Sequence, residues 1–286
     1  MASAGSQARQ KMPRWMHRTV RCGPELSMVE EVLTEERLNT VCVGAKCPNR
    51  GECYSAGTAT FMILGGRCTR DCGFCAVPTG GAEALDSEEP ERLARAAAAM
   101  GLRHVVVTSV TRDDLADGGS GQFAATVAAI REVLPGASVE VLVPDFGGRE
   151  QDIETVIAAG PDVFNHNVET VRRLYPEIRP QAGYERSLGV LARSAAAGLA
   201  TKSGFMVGLG ETEPEVDELL EDVMGAGCRL VTAGQYLRPA ESNMAVSRYW
   251  SPDEFGALEA RAKQMGFTAV AAGPLVRSSY HAAEML

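Results

Sequence analysis

The amino-acid sequence predicts an α/β protein: an incomplete (β/α)6 TIM-like barrel with a cysteine-bearing N-terminal extension and a C-terminal tail. Three observations predict it. Six short apolar runs alternate with helix-like segments. Polar residues gather at the C-terminal end of nearly every run. Six cysteines fall between Cys42 and Cys75, just before and just after the first run. Alternating strands and helices make parallel βαβ units, wound in one direction by right-handed crossovers. A doubly wound open sheet is the alternative. The polar clusters favour the barrel, whose sites are built from the loops after its strands.

The chain divides at residues 58 and 250. Residues 1–58 form the N-terminal part, 59–250 the barrel, and 251–286 a helix, a strand and the tail. Residues 1–10 are small and polar without an apolar core, so no secretory signal is predicted. Residues 11–16 read as an arm that packs on the rest. Residues 29–40 have a helical pattern. The two cysteine segments are rich in Gly, Thr and Arg and are predicted as loops.

The runs at 60–64, 104–109, 138–143, 163–167, 201–207 and 230–234 are predicted strands. Segments 90–100, 121–134, 149–159, 184–197 and 214–225 are predicted helices. The Ala-rich stretch at 94–99 belongs to the first of them, since alanine has the highest helix propensity. A cysteine triplet follows the first strand. Ser109, Arg112, Asp113 and Asp114 follow the second, and Asp145 the third. Asn165, His166, Asn167 and Glu169 end the fourth. Lys202 lies in the fifth, with Gly208, Gly210 and Glu211 after it. Gln235, Tyr236 and Arg238 close the sixth.

Of the 286 residues, 45% are hydrophobic and 23% charged, an ordinary globular balance. A net charge of -9 with scattered Lys and Arg argues against broad nucleic-acid binding. No apolar run approaches the length of a membrane span. Odd-numbered, tightly spaced cysteines in a chain of this size point to metal ligation in a reducing compartment, and so to the cytoplasm, rather than to disulfides.

The first triplet reads Cys42-x4-Cys47-x5-Cys53 and the second Cys68-x3-Cys72-x2-Cys75. Each offers three soft thiolates, suited to an iron–sulfur cluster or to zinc. Structural zinc is usually closed by four ligands, often as two CxxC-type pairs. Neither triplet supplies such pairs, so a four-iron cluster with one iron left open is favoured. Phe74 is placed to shield a face of the second cluster. For the first triplet the fourth ligand is open among Cys22, Cys228, a histidine and an oxygen donor. Ser278 and Ser279, in the terminal Arg-Ser-Ser-Tyr string, are oxygen candidates; alone they read as a polar tail.

The second triplet, with Phe74 before Cys75 at the end of a first barrel strand, resembles the radical S-adenosylmethionine superfamily. With the first triplet and the terminal RSSY, the chain resembles the lipoyl synthase family nearly end to end. The similarity includes RCTRDCG (67–73), TSVTRDDL (108–115), NHNVE (165–169), TKSGFMVGLGE (201–211) and GQYLRP (234–239). The resemblance implies two four-iron clusters. One, on Cys68, Cys72 and Cys75, binds S-adenosylmethionine through its open iron and generates a 5′-deoxyadenosyl radical. The other, on Cys42, Cys47, Cys53 and Ser279, is degraded to supply sulfur. Two S-adenosylmethionine molecules then support sulfur insertion at C6 and C8 of an octanoyl chain on a carrier-protein lysine. The implied partners are that octanoylated carrier, a reductant such as ferredoxin or flavodoxin, and an iron–sulfur carrier for cluster repair.

Four residues are expected at S-adenosylmethionine. Ser109 lies where other superfamily members place a Gly-Gly-Glu motif that this chain lacks. Asn165 and Glu169 suit ribose and adenine, although capping of a helix would also use them. Lys202 is expected at the methionine carboxylate, and otherwise needs a salt-bridge partner. Cys228, His104 and His166 read as structural, and Cys22 as a plain thiol. A biotin-synthase-like sulfur transferase and a zinc-binding interaction module are the competing readings. The N-terminal triplet argues against the first of these, and the triplet spacing against the second.

Overall fold

The computed structural model describes residues 11–17, 23–81 and 83–286. Residues 1–10 and Cys22, about which the sequence made expectations, lie outside them. Eight strands form one sheet in the order of the chain: β1 (Asn39–Thr40), β2 (Thr60–Ile63), β3 (His104–Ser109), β4 (Ser138–Leu142), β5 (Val163–Asn165), β6 (Ala200–Val207), β7 (Leu230–Gln235) and β8 (Ala269–Gly273). All neighbours pair in parallel except β1, which runs antiparallel to β2. The sheet curls as an open barrel, with no pairing between β1 and β8.

The helices are α1 (Pro24–Glu35), α2 (Val41–Gly44), α3 (Arg50–Ser55), α4 (Glu89–Ala99), α5 (Ser120–Val133), α6 (Glu150–Ala158), α7 (Tyr175–Ile178), α8 (Tyr184–Ala196), α9 (Glu213–Gly225) and α10 (Pro252–Met265). Capping chemistry sets several starts. Thr212 with Glu215, and Ser251 with Glu254, form capping boxes ahead of α9 and α10. Gly266, at φ 106°, ends α10 in the left-handed conformation that glycine adopts without strain.

The six predicted strands and five intervening helices are present, with ends shifted by one or two residues. Two local expectations fail. The predicted helix at 29–40 starts and stops earlier, as α1. Pro24 at its first turn opens it, and Arg37 at φ 52° closes it so that 39–40 can pair with β2. The first cysteine segment is not all loop: Cys42 lies in α2 and Cys53 in α3. Residues 251–286 hold α10 and then β8, the seventh parallel strand, on the far edge of β7.

Side chains pack in two apolar clusters. One joins β2–β5 to α1, α4, α5 and α6; the other joins β6 and β7 to α9 and α10. In the arm, Met16 is buried while Met12 and Trp15 are exposed. Among the described residues no helix is long and apolar enough to cross a membrane.

Candidate functional site: a cysteine-lined cavity at the mouth of the barrel

A cavity of about 510 Å³ opens at the C-terminal ends of the strands. Cys42, Cys47 and Cys53 line it from α2, α3 and their link; Cys68, Cys72 and Cys75 line it from the β2–α4 loop; Ser278 and Ser279 line it from the chain's end. Residues far apart in sequence are thus brought to one space.

The second triplet is held from three sides. Its segment is tied back on itself by the Cys68 amide donating to the Pro78 carbonyl, 2.9 Å, and by the Cys75 amide donating to Cys72, 3.0 Å. Arg70, buried between Cys68 and Cys72, forms a two-pronged pair with Asp113, 2.7 and 2.8 Å, and reaches Asp145, 2.7 Å. Burial works to raise the Asp145 carboxyl, but Arg70 holds it well below the carboxylate range. From across the barrel, Asn243 donates to the Cys75 carbonyl, 2.8 Å, and the Met244 amide donates to Gly73, 3.0 Å. Backbone amides of Arg70 and Val77 point at the Cys68 and Cys75 sulfurs, each 3.4 Å away. Such bonds stabilise thiolate and tune a bound metal.

The first triplet is tied to the tail. Asn49 donates to the Leu275 carbonyl, 2.7 Å, and the Tyr280 hydroxyl meets Glu52, 2.8 Å. Between these anchors, residues 275–280 cross the barrel mouth as a strap from β8 to α3. Under it lies Gly234, where a Cβ would sit 2.1 Å from the Val276 carbonyl oxygen. The side-chain-free surface lets the strap lie against β7.

Burial pushes the Cys42 thiol up to about 11 and Cys75 to about 12, and raises Cys72 while Arg179 opposes it. Free, the thiols of Cys42, Cys72 and Cys75 are therefore protonated at neutral pH, and an electrophile such as iron holds them as thiolates. Two triplets of soft thiolates around one shared cavity suit iron–sulfur clusters.

Four buried polar atoms among the cavity-lining residues have no partner: Asn49 Oδ1 by the first triplet, and Ser109 Oγ, Asn167 Oδ1 and Arg179 Nε. An orphaned buried group costs about 1–3 kcal/mol, so each is suited to a ligand. Gly204 keeps the cradle open, since a Cβ there would lie 2.7 Å from Asn167 Oδ1. Glu169 is held at φ 67° by a 3.0 Å bond from its amide to Gly204 and a 2.9 Å bond from Met206. Left-handed backbone at a non-glycine residue is stored strain, which clusters at ligand sites. Burial raises the Glu169 carboxyl, with Arg179 and Asn167 opposing. These features fit a polar, carboxylate-bearing molecule beside the second triplet.

Ser109 and Glu169 line the cavity as expected for ligand contact; Asn165 and Lys202 do not. Lys202 is fully buried and donates to both Glu140 oxygens, 3.0 and 3.1 Å. Asn165 donates to the same Glu140, 2.9 Å. Burial works to raise Glu140, but His104, Lys202 and Asn165 outweigh it and keep it ionised. Lys202 thus has its salt-bridge partner, deep in the barrel, and the expectation that it and Asn165 meet the cofactor is corrected. Arg179 and Arg277 went unnoticed as site residues. Arg179 lies in a stretch without strand or cysteine signals; Arg277 stood inside the RSSY string. Cys228 is buried in the core and donates to backbone carbonyls.

Comparison with known proteins adds to this geometry. The Radical SAM superfamily model matches residues 62–223. A lipoyl synthase of Rubrobacter xylanophilus is 54% identical, covering 97% of this chain and 87% of that protein. The chain belongs to the lipoyl synthase family. Another lipoyl synthase, from Caldanaerobacter subterraneus subsp. tengcongensis, is 53% identical over 95% of this chain and 96% of its own. Lipoyl synthase 2 of Gloeobacter violaceus is 49% identical, with 99% of both chains covered. Among solved structures, methylornithine synthase superposes with a TM-score of 0.54 at 15% identity, over 69% of this chain and 60% of that one. Streptococcus suis SuiB, solved with S-adenosylmethionine bound, gives 0.57 at 12%, over 78% and 54%. At these identities the likeness is one of fold.

Proposed function

We propose that this lipoyl synthase family member inserts two sulfur atoms, at C6 and C8, into an octanoyl chain linked to a lysine of a carrier protein. The observation that carries the reading is the meeting of both cysteine triplets and the Ser278–Ser279 pair around one cavity. When bound, a four-iron cluster with S-adenosylmethionine supplies the reducing and hydrogen-abstracting chemistry that side chains lack.

In this reading Cys68, Cys72 and Cys75 hold the radical-generating cluster. Cys42, Cys47, Cys53 and Ser279 hold the second cluster, which is a substrate and the source of sulfur. The Asn167 side chain donates to Ser278, 3.3 Å, which supports giving the ligand role to Ser279 instead. Arg179 offers its Nε–H to the methionine carboxylate, and Ser109 Oγ meets the amino group. Glu169 accepts from the ribose hydroxyls. Val110, Leu142 and Met206, in the cavity wall, exclude water from the acyl chain.

The parts are residues 1–58 for the sulfur-donating segment, 59–250 for the radical barrel and 251–286 for the closing tail. Ferredoxin or flavodoxin is the proposed reductant, and an iron–sulfur carrier rebuilds the spent cluster. The cytoplasm, where thiols stay reduced, is the proposed location.

Anaerobic reconstitution with iron and sulfide analysis tests the cofactors; two four-iron clusters per chain are expected. With an octanoyl-lysine peptide, S-adenosylmethionine and a reductant, mass spectrometry follows 5′-deoxyadenosine and dithiolane. Cys68→Ala abolishes both. Cys47→Ala keeps 5′-deoxyadenosine and loses dithiolane; dithiolane formed by Cys47→Ala overturns the sulfur-donor role.

A further inference from the structure

Four buried side chains, His166 and Arg179 in the cavity wall and Ser187 and Tyr175 behind it, form a hydrogen-bond chain that runs in one direction. The Val143 carbonyl only accepts, so His166 Nδ1, 2.8 Å away, carries the ring proton. His166 Nε2 is then bare and accepts from Ser187 Oγ at 2.9 Å. With its proton committed there, Ser187 accepts from the Tyr175 hydroxyl at 2.7 Å. The Tyr175 oxygen in turn accepts from Arg179 Nη1 at 2.8 Å. His166, Ser187, Tyr175 and Arg179 are all buried. Burial, with Arg179 adding to it, lowers His166 to about 4, so the ring stays neutral and the order does not reverse at neutral pH.

The far end of this chain is the cavity. Arg179 Nη1 also donates to the Asn167 carbonyl, 3.0 Å, and the guanidinium lies 5.3 Å from the Tyr175 ring centre. One nitrogen of the fork is thereby pinned on two oxygens, while Nε is left without a partner. A guanidinium is planar, so fixing Nη1 fixes the direction of Nε–H. Three elements contribute to the pinning: the segment after β5, α7 and α8.

We propose that Tyr175, Ser187 and His166 are positioning residues that set the affinity for S-adenosylmethionine by orienting the Arg179 guanidinium. The proposal rests on the reading that Arg179 meets the methionine carboxylate. A preoriented donor loses less freedom on binding than a free one. Cutting the chain leaves Arg179 charged and present, with Nη1 held on the Asn167 carbonyl and the plane of the fork less closely fixed.

The test is a double-mutant cycle on anaerobically reconstituted protein, with S-adenosylmethionine Kd read by equilibrium dialysis and Tm read alongside. Tyr175→Phe keeps the ring and removes the link; Ser187→Ala breaks the chain one step further back and serves if the first variant folds poorly. Each is expected to weaken binding about tenfold, the worth of a lost charged hydrogen bond. In an Arg179→Ala background the same changes are expected to leave Kd unmoved, because the group they orient is gone. A purely structural role lowers Tm and shifts Kd equally in both backgrounds, or not at all, and that result overturns the proposal. If Arg179→Ala itself leaves Kd unchanged, the reading of Arg179 falls and the proposal falls with it. A loss in Arg179→Ala without one in Tyr175→Phe or Ser187→Ala overturns the positioning role alone.

Discussion

Replacing Gly234 with alanine separates the two halves of the proposed reaction. Gly234 is in β7, and its backbone is not in the left-handed region, so the perturbation is purely steric. The new Cβ would lie 2.1 Å from the Val276 carbonyl oxygen and 3.1 Å from Arg277 Nη1. Real Cβ contacts essentially never fall under 3.0 Å, so 3.0 less 2.1 means the strap retreats by about 1 Å. β7 is paired on both sides by parallel strands and does not give. The strap is anchored at Leu275 and Tyr280, with the longer 3.3 Å bond from Asn167 to Ser278 between them, so it moves and carries Ser278 and Ser279 with it. A misplacement of about 1 Å at reacting groups lowers a rate by about a hundredfold. The three atoms nearest the new Cβ all belong to Val276 and Arg277, and none to the Cys68–Cys75 loop, which is expected to keep its geometry. The assay is mass spectrometry of 5′-deoxyadenosine and dithiolane from an octanoyl-lysine peptide. Expected is near-wild-type 5′-deoxyadenosine with about a hundredfold less dithiolane. Wild-type dithiolane from a folded Gly234→Ala protein would refute the claim that the strap's seat matters.

Gly189 is the matching control. It lies exposed inside α8 with nothing within 4 Å of a built Cβ, so Gly189→Ala should raise stability by about 1 kcal/mol in urea titration. Glu140→Gln should destabilise by about 3 kcal/mol, because it strands the buried Lys202 charge, yet leave S-adenosylmethionine Kd intact in the folded protein. An altered Kd there would restore Lys202 to the ligand site. His166 predicts a pH dependence. Its folded value, about 4, lies below its ordinary 6.5, so the unfolded chain binds the extra proton first. Its contribution is complete above 6.5 and is lost as pH falls from 6.5 towards 4, about 3 kcal/mol in all. Comparing the pH slopes of wild-type and His166→Asn unfolding measures it; equal slopes would show that the ring titrates normally.

The barrel was legible because its strands are local signals. Runs such as Val105-Val106-Val107, punctuated by Gly and charge, state both element and depth. The cysteines were legible because six soft ligands in a short span have no packing rationale. What escaped depends on contacts between distant residues. Nothing near Lys202 announces Glu140, which lies 62 positions away and meets it only once β4 and β6 turn the same faces inward. The ligand role of Asn165 likewise failed because a neighbouring strand, not the cofactor, takes its amide. Arg179 was invisible for the converse reason: its importance is the orphaned Nε, and an orphan is recognised only after every other partner has been counted. The short helices around Cys42 and Cys53 are built on capping and backbone bonds, as from the Val43 amide to Thr40 Oγ1, that composition does not disclose.

The bond from Asn49 to Leu275 spans 226 positions of the chain. During translation, therefore, the early thiols leave the ribosome long before the serines that face them exist. A polypeptide arrested before residue 275 carries both cysteine sets but lacks the seal over them. A finished protein thus differs from an unfinished one by that seal, a mark that any machinery delivering the sulfur store has available to read.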